Sequence, residues 1–333
     1  MGFIEVNNIC KNYKIPVKGE GTMGKIKKYF KPEYEIVNAV DHISLSVEEG
    51  EIIGYLGPNG AGKSTTLKML SGIIHPTSGE IRVDGMSPYL NQKKYGHMIG
   101  VVFGQKSQLW WDLPAKDSLE LYRDIYNVSE KQYKKNIDMF VSLLSLEEYW
   151  DRPIRNLSLG QRMRVEIAAA LLHDPKILFL DEPTIGLDII VKEKVRQFLI
   201  EINAEKRTTI FLTTHDISDI ESVCGRIVII NKGKKIFDGP TELLEEMFSE
   251  RKEIVLTFEG EAVPNLEGLD IKDKITKTAG NKVWIQINKD APISDIIKNV
   301  VNQHSIIDIH VSGVELEKLL ALAYTSPNRG ESA

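Results

Sequence analysis

The sequence predicts an α/β fold: a mostly parallel sheet with an antiparallel edge and a helical insert, followed by a small α+β domain. Three observations carry this. Four segments are apolar on both strand faces, IIGYLG at 52–57, ILFL at 177–180, TIFLT at 209–213 and RIVII at 226–230. Strands of that kind are buried inside parallel sheets covered by helices. The last three are separated by helix-patterned stretches, and the first runs straight into a glycine-rich turn and a helix. Finally, 333 residues are too many for one ordinary domain.

Taken in order, FIEVNNI at 3–9 alternates as an edge strand, and ISLSV at 43–47 alternates again before the turn Glu48-Glu49-Gly50. The intervening segment, residues 14–39, is polar, has no sustained period and reads as an insertion; it holds Lys14, Lys18, Lys25, Lys27, Lys28 and Lys31 against Glu20, Glu33 and Glu35. Residues 87–157 are aromatic-rich and read as helices. Leu119, Tyr122, Ile125 and Tyr126 recur at helical spacing, and Ser129 with Gln132 spells a capping box for a second helix. Helices are expected at 162–172 and 190–204, with a short one before RIVII. The pattern then changes, giving domains at 1–247 and 248–333. The second is read from strands at 253–258, 282–287 and 306–311 and helices near 293–303 and 313–324, with a frayed tail TSPNRGESA.

Composition excludes several classes. Hydrophobic residues at 42% and charged residues at 27% fit a globular chain with a real core, not a disordered or fibrous one. The net charge of −5 gives no overall positive field for nucleic acid and leaves room only for a local basic patch. Cys10 and Cys224 are too few for a disulfide framework, fit a reducing compartment and read as small buried apolar residues rather than ligands. No stretch of about 18 apolar residues and no signal-peptide pattern is visible, so membrane work would require a second chain to span the bilayer.

Two motifs point to phosphate chemistry. Gly57-Pro58-Asn59-Gly60-Ala61-Gly62-Lys63-Ser64-Thr65 fits G-x-x-x-x-G-K-[ST] in full, between a buried strand and a helix. Its glycines let backbone N–H groups wrap phosphates, Lys63 supplies a charge to β/γ oxygens, Ser64 suits Mg²⁺, and the helix N-terminus adds its dipole. ILFLDEP at 177–183 sets two carboxylates at a strand tip, Asp181 suited to the magnesium shell and Glu182 to orienting or deprotonating water. A third segment, Asn156-Leu157-Ser158-Leu159-Gly160-Gln161, would by itself be an ordinary helix cap.

The phosphate loop, L-S-x-G-Q, D-E-P-T and the later His215 in FLTTHD occur in one order, and together they resemble the nucleotide-binding subunit of ATP-binding cassette (ABC) transporters over residues 3–240. That resemblance implies the P-loop NTPase cassette fold and two subunits head to tail around two ATP molecules. Each ATP would lie between one subunit's phosphate loop and the other's Ser158, Gly160 and Gln161. It further implies that Gln105, in VVFGQ after an apolar strand, touches Mg²⁺ and the attacking water, that His215 contacts the γ-phosphate and steadies Glu182, and that Asp188, in Gly186-Leu187-Asp188, couples the two sites. Tyr13 matches the aromatic that stacks on adenine. One departure is LSLGQ, where Leu159 replaces a glycine while Ser158 and Gly160 are kept.

The insertion, the segment VVFGQKSQLWWDLP and the C-terminal domain resemble bacterial export ATPases of the ABC-2 type that pair with a separate membrane subunit. The expectation is therefore an ATP- and Mg²⁺-dependent ATPase at the cytoplasmic face of the cell membrane. It would be peripheral, homodimeric, free of nucleic acid and coupled to a transmembrane permease. Trp110 and Trp111 are candidates either for the groove receiving that partner or for the core, and the insertion either for lipid head groups and the partner or for a solvated loop. The C-terminal domain, without a catalytic constellation, reads as regulatory or dimer-stabilising. The rivals are a soluble ABC ATPase of translation or DNA maintenance and a regulatory P-loop module that senses nucleotide. The single cassette, the acidic charge and the lack of heptads weigh against the first.

Overall fold

The computed structural model describes residues 2–16, 34–104, 107–241, 243, 251–266, 275–288 and 291–313. They fall into two units, Met1–Gly239 and Pro240–Ala333.

In the first unit β1 (Ile4–Pro16) lies between β2 (Tyr34–Val47) and β4 (Ser78–Val83) in an antiparallel sheet of order β2-β1-β4. A six-stranded sheet has the order β5-β6-β7-β3-β8-β9, formed by β5 (Ile99–Phe103), β6 (Ile177–Asp181), β7 (Thr209–Thr214), β3 (Ile52–Leu56), β8 (Arg226–Asn231) and β9 (Lys234–Pro240). The neighbours from β5 through β8 are parallel. Residues 177–180 and all of β7 are buried, as two-sided apolar strands require. One core cluster joins Ile4, Val6 and Val47 of the antiparallel sheet to Ile53, Phe179 and Phe211 of the parallel one, with Leu67 of α1 (Lys63–Leu70) packed among them.

Besides β4 and β9, which the sequence reading did not include, the first unit differs from that reading in three places. β1 continues to Pro16 and β2 begins at Tyr34, with Lys14 opposite Ile36, so the described ends of the insertion extend a hairpin ladder. Charged Lys14, Glu33 and Glu35 beside Ile15, Tyr34 and Ile36 masked the strand preference of these residues and of Val37; the centre of the insertion, with Lys18, Lys25, Lys27, Lys28 and Lys31, lies outside the described residues. Residues 87–157 are not wholly helical. A short helix α2 (Gln92–Met98) leads into β5 of the main sheet, and the helical part is α3 (Ala115–Tyr126) and α4 (Glu130–Leu144). The capping box at Ser129 is half formed: its hydroxyl accepts from Gln132 N–H at 3.3 Å, whereas the Gln132 side chain turns away to Asp174.

α5 (Leu159–Leu171), α6 (Ile189–Lys206) and α7 (Ile217–Val223) complete the unit. The α5 helix is buried well beyond its apolar stripe, since Arg164 and Glu166 are buried too. Arg164 is satisfied by donating to Leu144 O at 2.7 Å and by lying 5.1 Å from the Tyr149 ring centre.

The second unit is a four-stranded antiparallel sheet of order β11-β12-β10-β13, made of β10 (Arg251–Phe258), β11 (Ile275–Ala279), β12 (Lys282–Asn288) and β13 (Ile306–Gly313). The helix α8 (Ile293–Val301) buries Ile296 and Val300 in a core with Ile254, Leu256, Phe258, Val283, Ile285 and Ile287. The helix expected at 313–324 and the tail lie outside the described residues.

Candidate active site

Parallel sheets gather functional loops at the carboxyl ends of their strands. Here β6, β7 and β3 are neighbours, and Asp181, Thr213 and Thr214 near their ends are register partners of one another or of β3's Leu56. The loop after β3, the Asp181-Glu182 pair after β6 and His215 after β7 therefore share one rim.

The loop 57–65 has the backbone its glycines predict. Gly60 and Gly62 have φ of 81° and 108°, and a Cβ on Gly62 would stand 2.3 Å from Ala39 O of β2. That position excludes a side chain twice over, by conformation and by contact. Pro58, Asn59 and Ala61 span the turn, with Ala61 N–H donating to Pro58 O at 3.1 Å, and Thr65 lies in the first turn of α1. Lys63, 5% exposed, donates to Gly57 O at 2.7 Å and Pro58 O at 3.4 Å, and lies 3.2 Å from Glu182 Oε1. A buried ammonium is tolerable only with such partners.

Ser64 Oγ donates to Asp181 Oδ1 at 3.1 Å, and Thr213 Oγ1 donates to the same oxygen at 2.6 Å. Glu182 has φ of 53°, a left-handed conformation that costs a non-glycine residue of order 1–3 kcal/mol. Its N–H is held by Thr213 O at 2.9 Å, and His215 Nδ1 stands 3.3 Å from Glu182 Oε1. One carboxylate oxygen thus faces both Lys63 and His215. Gly104 presses against this turn, donating to Asp181 O at 2.8 Å; a Cβ there would meet Glu182 O at 2.5 Å. Gln105, the next residue, lies outside the described residues.

The L-S-x-G-Q segment forms a second cluster. Ser158 caps α5 in a complete capping box: its Oγ accepts from Gln161 N–H at 3.2 Å, and Gln161 Oε1 accepts from Ser158 N–H at 3.0 Å. The Gln161 side chain is thus turned back on the cap and fixes Ser158, whose hydroxyl hydrogen stays available for a further acceptor. Gly160 abuts Val191 and Leu187, and Leu159 is 36% exposed with its Cδ2 against Gly186. Asp188 caps α6, accepting from Val191 N–H at 2.9 Å. The cap loop of α5 and the loop 186–188 are therefore packed together in one chain.

Tyr13 is partly exposed on β1 opposite Val37, two residues along β2 from the Ala39 carbonyl that touches Gly62, with Lys11 Nζ 5.5 Å from its ring centre. Trp110 and Trp111 are 43% and 52% exposed, which removes the core reading for both. Trp110 packs edge-on to Tyr122, and Arg162 lies over Trp111.

Sequence reasoning missed two contributors. Thr213 is in the notable TIFLTT strand, yet only the sheet register sets its hydroxyl beside Asp181. The other is a buried network behind the 184–188 loop: Asp219 accepts from Thr184, from Thr214 at 3.1 Å and from Arg196 at 2.6 and 2.8 Å. Its members come from α6, α7, β7 and a loop, and no local spacing announces them.

These features define a P-loop nucleoside triphosphatase. A family model described as ABC transporter matches residues 40–185. The chain is 34% identical over 232 residues to the ABC transporter ATP-binding protein NatA of Bacillus subtilis, covering 70% of this chain and 93% of the relative. Similarity to the bacitracin transport ATP-binding protein BcrA of Bacillus licheniformis is 32% over 84% of this chain and 93% of that protein. A methionine import ATP-binding protein, MetN 3 of Bacillus cereus, is 30% identical over 88% of this chain and 97% of that one. Among solved structures, a dimeric post-hydrolysis state of an ATP-binding cassette bound to ADP and Pi aligns with a TM-score of 0.60 at 29% identity. That alignment covers 71% of this chain and 98% of the other. The chain belongs to the ABC transporter family as an ATP-binding subunit, an ATPase whose ATP hydrolysis is coupled to transport.

Proposed function

We propose that this subunit drives a separate transmembrane permease, as an exporter, from the cytoplasmic face of the cell membrane. It does so by ATP-dependent closure of a homodimer and needs no nucleic acid. No described helix is long and apolar enough to cross a membrane. The relatives named as transporter ATP-binding proteins support a membrane partner, and the dimeric cassette supports dimerisation. The observation that carries the reading is the single oxygen, Glu182 Oε1, lying 3.2 Å from Lys63 Nζ and 3.3 Å from His215 Nδ1 on the rim of the phosphate loop.

The proposed roles are these. Residues 57–65 bind the triphosphate through backbone N–H groups and the α1 N-terminus, and Lys63 exchanges Glu182 for β/γ oxygens. Glu182, released from that pair, accepts the proton of the attacking water, while His215 steadies its carboxylate and reaches the γ-phosphate. Ser64 and Asp181 offer adjacent hard oxygen donors, which fits Mg²⁺, and Gln105 is assigned to the same shell. The ion, when bound, neutralises charge on the β/γ oxygens. Ser158 and Gly160 act on the partner subunit's ATP, with Gln161 bracing the serine, Asp188 linking the paired sites and Tyr13 stacking on adenine. Residues 14–39, the segment 87–157 and residues 248–333 are assigned to partner or membrane contact and to regulation.

Isolation of the native complex from membranes tests this. Co-purification of a hydrophobic subunit with this chain, and its release when Trp110 and Trp111 are both changed to Ala, is the expected result. A soluble complex with ribosomes or DNA would overturn the transport assignment. Import is a second reading, favoured by the near full-length match to the methionine import relative. ATP-driven accumulation of cargo inside inverted vesicles supports export, and its loss from them supports import.

A further inference from the structure

We propose that Cys10, Asp41 and His42 form a binding site for a borderline-soft divalent cation of the zinc type. The β1/β2 register passes from Ile9 opposite Ile43 to Lys11 opposite Val40, so Asp41 and His42 together face Cys10 across a β-bulge. Adjacent strand residues ordinarily point to opposite faces. His42, at φ of 53°, breaks that alternation, and the Cys10 sulfur, an Asp41 carboxylate oxygen and a His42 ring nitrogen all come within 4.8 Å of one another. His42 Nδ1 is 2.6 Å from Asp41 Oδ1, and His42 N–H donates to Cys10 Sγ at 3.3 Å.

Zinc bonds of about 2.0–2.3 Å put tetrahedral ligands about 3.3–3.8 Å apart, so a small opening of the His42–Asp41 contact makes room for the ion. Thiolate, imidazole and carboxylate together select zinc over magnesium, and three protein ligands leave a fourth position for water. On binding, the Cys10 thiol gives its proton to solvent and His42 carries its own on Nε2, freeing Nδ1. Cys10 is buried whereas His42 is exposed, so the ion enters from the imidazole side. Lys234 Nζ, 3.5 Å from Asp41 Oδ2, is 71% exposed and swings into water at little cost. The bulge is tied to the phosphate loop: Asp41 N–H donates to Gly233 O at 2.9 Å, and Gly233 N–H to Ala61 O at 3.0 Å. A cation here braces the loop from behind.

Co²⁺ titration of the full chain in excess Mg²⁺ tests the site, because Co²⁺ takes zinc geometry and a cobalt–thiolate bond absorbs in the near ultraviolet. The chain has two cysteines. The expected result is a saturable band of one Co²⁺ per chain, bleached by Zn²⁺, kept in Cys224→Ser and lost in Cys10→Ser. His42→Ala, at an exposed side chain, weakens binding by at least about tenfold. Absence of the band in the wild type, its survival in Cys10→Ser, or wild-type affinity in His42→Ala would each overturn the proposal.

Discussion

Glu166 offers a stability test with a defined sign. Its carboxylate sits in α5 beside a cavity of about 140 Å³ lined by Gly96, Gln108, Tyr122 and Tyr126, among others, with Arg162 Nε 3.8 Å away. Burial pushes its pKa from 4.5 up to about 7, against the opposing effects of a hydrogen bond from Ser107 and the Arg162 charge. The folded chain therefore holds this proton more tightly than the unfolded one, and stability falls as pH rises from about 4.5 to about 7. At about 1.4 kcal/mol for each tenfold change in proton affinity, that interval amounts to about 3 kcal/mol, fully present above pH 7. Glu166→Gln removes the charge and keeps the shape. Urea unfolding in a Trp284→Phe background reads the first unit alone through Trp110, Trp111 and Trp150. The variant should match the wild type near pH 4.5, apart from a constant offset, and gain about 3 kcal/mol on it by pH 8. A difference that does not change with pH would refute the reasoning.

Other substitutions separate the parts of the site. Thr213→Val removes one donor to Asp181 Oδ1 and should raise the Mg²⁺ needed for half-maximal ATP turnover by about tenfold; an unchanged Mg²⁺ dependence would deny Thr213 that role. Gly62→Ala drives a Cβ against Ala39 O and should abolish binding of a fluorescent ATP analogue, a result checked by equilibrium titration. Ser158→Ala loses a cap worth about 1 kcal/mol of stability. Mixed with Lys63→Ala it should recover part of the turnover that each lacks alone, since the two changes then fall on one site of the dimer and spare the other.

The alternation of buried strands and helices made the parallel sheet legible, because two-sided apolar runs have few other uses. The phosphate loop and the Asp181-Glu182 pair were equally legible, since their chemistry is written in contiguous residues. What escaped was set by contacts distant in sequence. Thr213 gained its meaning only from register with Asp181. The buried Asp219–Arg196 network joins residues 23 positions apart. Cys10 reads from the sequence as a small apolar residue, and it is buried; only the bulge at His42 brings an imidazole and a carboxylate to it.

The central claim is that Glu182 takes the proton of the water that attacks the γ-phosphate. ATP turnover by purified Glu182→Gln, measured beside its ATP-dependent dimerisation, tests that most directly. Loss of a positioned general base removes about 10²–10⁴-fold of rate, so turnover should fall by at least about 100-fold while an ATP-bound dimer accumulates. Turnover near the wild-type rate would contradict the account.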